Sequence, residues 1–190
     1  MAIKQTLEVI NIMEADGIIG RYAIGGAVAA FNYIEPTVTE DLDVLVSFTE
    51  LPDSPKSGLI TLAPIFSYLK ARGYSEHQKE SLVIEGWPVQ FLPVASDLDA
   101  EAIAQARDVE IGEGEGSVRT RILRAEHLVA MCLSVGRPKD LLRIAQFLEE
   151  NVVDVPILCG LLRHHCLTEA WQAFCRRAGI ADPCDIHRKP

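Results

Sequence analysis

No apolar run in this 190-residue chain approaches the roughly 18–20 residues that a membrane-spanning helix needs, so no membrane partner is expected. The opening segment, MAIKQTLEVINIMEADG, interrupts its apolar pattern with charges and lacks a small-residue cleavage site. No secretory signal is expected from it, and the predicted location is cytoplasmic. Positive charge is also short: 18 Lys and Arg against 27 Asp and Glu give a formal net charge of −9. That balance excludes a protein that coats nucleic acid through a basic surface, because phosphate-driven affinity needs clustered cations. It leaves room for an enzyme that meets a polyanion at one local site or through metal ions. No CxxC pair occurs among Cys132, Cys159, Cys166, Cys175 and Cys184. Without a secretion signal, reduced and mostly buried thiols are expected. Four of the five fall in the last 32 residues beside His164 and His165, which brings zinc to mind, but at spacings of seven, nine and nine residues that match no finger pattern. Neither GxSxG nor GxGxxG is present, which removes the nucleophile elbow and the dinucleotide fingerprint.

What remains is an ordinary folding composition, 48% hydrophobic and 24% charged, enough for one good core or one domain with a small appendage. Residues 3–16 carry apolar positions at helical spacing, and Tyr22–Ile24 reads as a short strand ending in Gly25 and Gly26. AVAAFNYI is a short helix stopped by Pro36, DLDVLVSF a strand, and LPDSPKSG a polar loop. A helix is predicted over 60–72 with Gly73 as its stop, then two strands in SLVIEGWPVQFLPV with Gly86 near their turn. A helix over 98–107 follows, then strands on both sides of the acidic turn GEGEG at 112–116. From Arg124 the pattern is helical to about residue 178. The fold class is therefore α+β: a mixed sheet with flanking helices over 1–123 and a helical C-terminal region over 124–190.

Asp41 and Asp43 stand two apart in a strand, so they share a face while Leu42 and Val44 point to the core. Two adjacent carboxylates are costly to bury, since each raises the other's pKa. They are tolerable at a wet strand end, or where Mg²⁺ sits between them with its preference for hard oxygen ligands and substrate phosphates. Gly25 and Gly26 supply a turn without side chains, where backbone can approach a ligand. If Ala27 starts a helix, free N–H groups there favour an anion. Phosphate turn and metal-binding pair together are the equipment of phosphoryl or nucleotidyl transfer.

In this order and separation, IGGAVAAF…TVTEDLDVLV resembles the signature of the nucleotidyltransferase superfamily typified by DNA polymerase beta. AEHLVAMCLSVGRPKDLLRI is similar to the helical segment after the catalytic sheet in the nucleotidyltransferase toxins of abortive-infection toxin–antitoxin systems (the AbiEii group) and their bacterial relatives. The resemblance covers residues 20–148, roughly two-thirds of the chain. It implies a minimal nucleotidyltransferase fold, Mg²⁺ or Mn²⁺ at Asp41 and Asp43, and an NTP as donor. The acceptor would be an RNA or protein hydroxyl, and the partner a protein such as an antitoxin. It also implies substrate or phosphate contacts from Gly25, Gly26, Thr39, Arg137 and Lys139. Where the family has a third carboxylate, in a context like G-x-P-V-D-x-L, this chain reads GWPVQFLP and places Gln90. A neutral amide cannot act as the base or carry the charge that offsets a second ion. Gln90 therefore keeps a second expectation open: a catalytically inactive module of the same fold that binds a nucleotide or a protein. Cys132 and Thr37 also depart from the lysine and arginine found in many relatives.

Other polar residues have plainer readings. Arg137, Lys139 and Arg143 line one helix region, where Pro138 at a first turn among solvated charges is the alternative to phosphate binding. His127 reads as structural, and Trp87 and Trp171 as core or groove residues without the basic surroundings of a base-stacking platform. His164 and His165 have no nearby residues arranged as a triad. Glu113 and Glu115 would repel phosphate from GEGEG, which reads as a hairpin tip.

Overall fold

Strand and helix patterns are mixed through the first 123 positions and helical spacing prevails after them, and the chain divides close to that change, with one short segment apart. A computed structural model describes residues 2–36, 38–48, 61–112 and 114–185. One compact unit comprises Met1–Ala29 and Pro36–Leu123, and the other Ala30–Glu35 and Arg124–Pro190. Thr37, the loop LPDSPKSG, Ile60 and Glu113 lie outside the described residues.

The first unit holds α1 (Ala2–Ala15), β1 (Tyr22–Ile24), the start of α2 (Gly26–Ala30), β2 (Leu42–Val46) and α3 (Ala63–Ala71). It continues through β3 (His77–Gln78), β4 (Ser81–Ile84), β5 (Trp87–Pro93), α4 (Asp97–Ala104), β6 (Arg107–Ile111) and β7 (Val118–Ile122). The strands form one seven-stranded mixed sheet in the order β3-β4-β5-β2-β1-β7-β6. β2 runs antiparallel to β1 and parallel to β5, and β1 runs parallel to β7. Leu42 and Val44 are fully buried, and their partners across the strands, Val89, Phe91 and Ile24, are buried with them. Alternation in a strand then puts Asp43 and its partner Gln90 on the opposite face.

Helix α1 packs on β5 and β7 and is tied there by polar groups. The Thr6 hydroxyl donates to Ile84 O at 2.9 Å, and Tyr22 OH donates to Asn11 Oδ1 at 2.6 Å. Arg121 ion-pairs with Glu14, and its guanidinium lies over the Tyr22 ring. The predicted helix over 98–107 is shorter than expected. Ser96 caps it by accepting from Asp99 N at 3.1 Å, and Arg107 already belongs to β6. β3 has two residues, too few to leave a pattern in the sequence.

The second unit contains α5 (Ala125–Val135), α6 (Pro138–Glu149), α7 (Val155–His164) and α8 (Thr168–Ala178), with α5 touching the other three. Gly136, at φ +69°, ends α5, and Pro138 opens α6. Asp140 is buried and takes two hydrogen bonds from the Arg137 guanidinium, at 2.7 and 3.1 Å, while accepting from Arg137 N. Glu126 is buried in α5 and accepts from Asp154 N at 2.8 Å ahead of α7. His127 is fully buried, in keeping with its structural reading. Trp171 is the core of α8, with Nε1 donating to Asp182 Oδ1 at 2.8 Å. No helix among the described residues is long and apolar enough to cross a membrane.

One expectation needs correcting. Cys159 and Cys184 form a disulfide with Cα atoms 5.4 Å apart, while Cys132, Cys166 and Cys175 are free. Packing of the segment after α8 against α7 brings together two residues whose separation of 25 carries no pairing information in sequence. Unreduced, denatured protein should therefore titrate three thiols and reduced protein five. Closing a loop of this length contributes about 3 kcal/mol in the chain-entropy account, so a Cys184→Ser variant should lose up to that amount in urea unfolding.

Candidate functional site

Antiparallel pairing of β1 with β2 is what brings the glycine turn to the carboxylates. Gly25, just beyond β1, donates its N–H to Asp43 O at 2.9 Å, and its carbonyl accepts from Ala29 N at 3.1 Å. The next residue, Gly26, has φ +56° and lies against the Asp43 side chain. A Cβ at Gly26 would fall 1.7 Å from Asp43 Oδ2 and 2.7 Å from its Cγ, so any side chain there would have to displace the Asp43 carboxylate. Gly25 is less constrained: a Cβ there would meet Leu123 Cδ1 at 3.4 Å.

On the other side of β2, Gln90 of β5 stands in register with Asp43. Asp41 immediately precedes β2, one residue outside the strand expected from sequence. It is half-buried, and the Thr39 hydroxyl donates to its carbonyl at 3.2 Å and reaches its Oδ1 at 3.5 Å. Asp41 and Gln90 line a hollow of about 220 Å³ with Glu40, Gln78, Lys79 and Ser81. Gln90 Nε2 donates to Glu80 Oε2 at 3.3 Å across its rim.

The ion pair between Lys79 and Glu40, 2.5 Å long, dominates the local electrostatics. The hydrogen bond from Lys79, then its charge, holds the Glu40 carboxyl below its usual range. The hydrogen bond to Glu40 and its charge, with a smaller contribution from Asp41, push Lys79 up, so it is a cation throughout the physiological range.

Residues 25, 26, 39, 41, 43 and 90 are thus gathered in the first unit around the start of β2. Arg137 and Lys139 belong to the second unit. The Arg137 guanidinium is engaged by Asp140, the use that its position at a helix start predicts, while Lys139 is exposed. Gly25 N–H is taken by the sheet, which leaves any donation to a ligand to the residues after it. Sequence reasoning missed the pair of Lys79 and Glu40, which are 39 residues apart: Lys79 belongs to no motif, and Glu40 was passed over between Thr39 and Asp41.

As a donor set, Asp41 and Asp43 suit a hard divalent cation, and the glycine at position 26 gives the Asp43 carboxylate room beside the turn. Among the described residues, no third carboxylate, histidine or cysteine closes with both to within the 4.8 Å that three ligands of one ion share. Neither a scan against protein-family models nor a search of curated proteins finds a match for this chain.

Gly26→Ala is expected to cost about 1–3 kcal/mol in urea unfolding, since it combines a positive-φ penalty with displacement of the Asp43 carboxylate. Gly25→Ala should cost clearly less, and equal losses would mean that the Asp43–Gly26 approach does not constrain the turn.

Proposed function

We propose that this protein has a minimal nucleotidyltransferase fold and transfers a nucleotide from an NTP to a hydroxyl of RNA or protein with the help of Mg²⁺ or Mn²⁺. The observation that carries this reading is the approach of the Asp43 carboxylate to Gly26 on one side, with Gln90 in register on the other. A glycine turn, one aspartate of the pair and a neighbouring strand position support it there, and Asp41, just before β2, is the second aspartate that the resemblance implies.

Asp41 and Asp43 are the residues that would hold the ion, which when bound supplies positive charge against the triphosphate. The turn after Gly25 bears no side chain and lets the phosphates approach the backbone. Thr39 fixes the segment before β2 through the Asp41 carbonyl and so positions Asp41. In transfer, the acceptor oxygen bonds to the α-phosphorus as the bond to pyrophosphate breaks, and the acceptor proton leaves to water. Positioning and electrostatic stabilisation supply most of the acceleration in such chemistry.

Gln90 favours a second reading, a catalytically silent module that binds a nucleotide or a protein partner such as an antitoxin. An amide opposite Asp43 leaves the site without the third negative charge and without a base. Metal dependence separates the two readings. If NTP with Mg²⁺ or Mn²⁺ raises the melting temperature and NTP alone does not, the metal-dependent site stands; no shift with any NTP leaves only the partner-binding module.

Asp41→Asn and Asp43→Asn should each abolish transfer from labelled NTP while leaving stability unchanged or higher, because each relieves carboxylate repulsion. Gln90→Asp should tighten Mn²⁺ binding and raise or create transfer. A folded Gln90→Asp protein that gains neither would eliminate the enzyme reading.

A further inference from the structure

The β3–β4 hairpin closes in two residues, because Gln78 pairs with Ser81 and leaves Lys79 and Glu80 as the turn. Lys79 has φ +56°, in the left-handed region that two-residue hairpins ordinarily fill with glycine or asparagine. A side chain at such a position carries backbone strain, as does Glu85 at φ +50° in the β4–β5 turn, so what distinguishes Lys79 is its charge and its reach. Structural support does not account for it. Its partner is Glu40, both side chains are mostly exposed, 77% and 66%, and exposed ion pairs add little to stability.

Position does account for it. From the hairpin tip the ammonium reaches Glu40, at the start of the segment that leads into β2, and both residues line the hollow that contains Asp41 and Gln90. Lys79 is the one cation among the lining residues of that hollow, against Glu40, Asp41 and Glu80. An anionic ligand meeting these carboxylates needs a positive group placed there beforehand. A weakly held, exposed ion pair can release its lysine to a phosphate, which accepts stronger charge-assisted hydrogen bonds.

We propose that Lys79 is the group that contacts the phosphate chain of a polyphosphate ligand bound in this hollow, with Glu40 as its resting partner. This rests on the nucleotidyltransferase reading and adds to it a phosphate-binding lysine within the first unit, one that no sequence motif marks.

The test uses full-length protein and titrations of each of the four NTPs and of inorganic tripolyphosphate, with Mn²⁺, followed calorimetrically. Lys79→Gly removes the amine and relieves the positive φ, so its melting temperature should be unchanged or higher. Affinity for NTP and for tripolyphosphate should fall about tenfold in this variant, the loss of one charge-assisted contact. Glu40→Gln frees the lysine and should bind both about two- to threefold more tightly, a gain of a few tenths of the tenfold step. A surface pair with no ligand role would leave both affinities unmoved. Equal affinities in wild type and Lys79→Gly, or weaker binding in Glu40→Gln, would overturn the inference while the site reading stands. Failure of wild type to bind any NTP or tripolyphosphate would overturn both.

Discussion

The close approach of the Asp43 carboxylate to Gly26 is the constraint around which the strand ends are arranged. A carboxylate can lie this near a backbone only where Cβ is absent, and the same residue must adopt a positive φ. Gly25 fixes the distance from the other direction by bonding to the Asp43 carbonyl. The backbone of Asp43 is thus committed to the sheet while its side chain faces the turn. Pairing of β1 with β2 sets that geometry, and pairing of β2 with β5 brings Gln90 to the same level. Sliding β2 by one residue would put Asp43 among Val89, Phe91 and Ile24 in the core, so the burial of Leu42 and Val44 protects the register of the polar pair.

Much of this was legible in the sequence because it depends on local rules. The interval from the glycine pair to Asp-x-Asp reads as turn, short helix and strand, and period-two alternation sets Asp43 on the face opposite Leu42 and Val44. Pro138 and Gly136 mark a helix boundary by backbone preference alone. What the sequence left hidden depends on distant pairing. Lys79 meets Glu40 only after β5 has been laid between β4 and β2, and neither residue belongs to a periodic segment. The disulfide is of the same kind, since five cysteines without a finger spacing allow many pairings and only the packing of α7 and α8 selects one. The short α4 was misjudged at its end because helical propensity continued past Ala104, while the chain beyond was needed for a strand.

Arg137 shows how one residue can satisfy a motif and a structural rule at once. The resemblance implies a phosphate contact, and the fold gives it a buried carboxylate at a helix start. Asp140 is nearly inaccessible while Arg137 is half exposed, so removing the guanidinium would leave a buried carboxylate with fewer partners, at a cost that solvent around the arginine reduces. Binding phosphate through Arg137 would compete with that need, whereas the exposed Lys79 has a partner that is cheap to exchange. Physical cost therefore favours the lysine that no motif marks over the arginine that one does.

A glutamine at position 90, where the resemblance implies an acid, bears on charge more than on shape. An amide in register with Asp43 still donates and accepts hydrogen bonds, and it donates to Glu80 at the rim of the hollow. Its neutrality leaves Asp43 without a negative side chain at the same level of the strand beside it. That lowers the cost of the ligand-free state and lowers the attraction for a second cation by the same cause. Under the proposed function, a neutral Gln90 would leave fewer charges to hold cations against the phosphates, and a fixed positive group such as Lys79, which pairs with Glu40 and lines the same hollow as Asp41, would matter more. On that reading the neutral Gln90 and the cationic Lys79 are two sides of one charge balance.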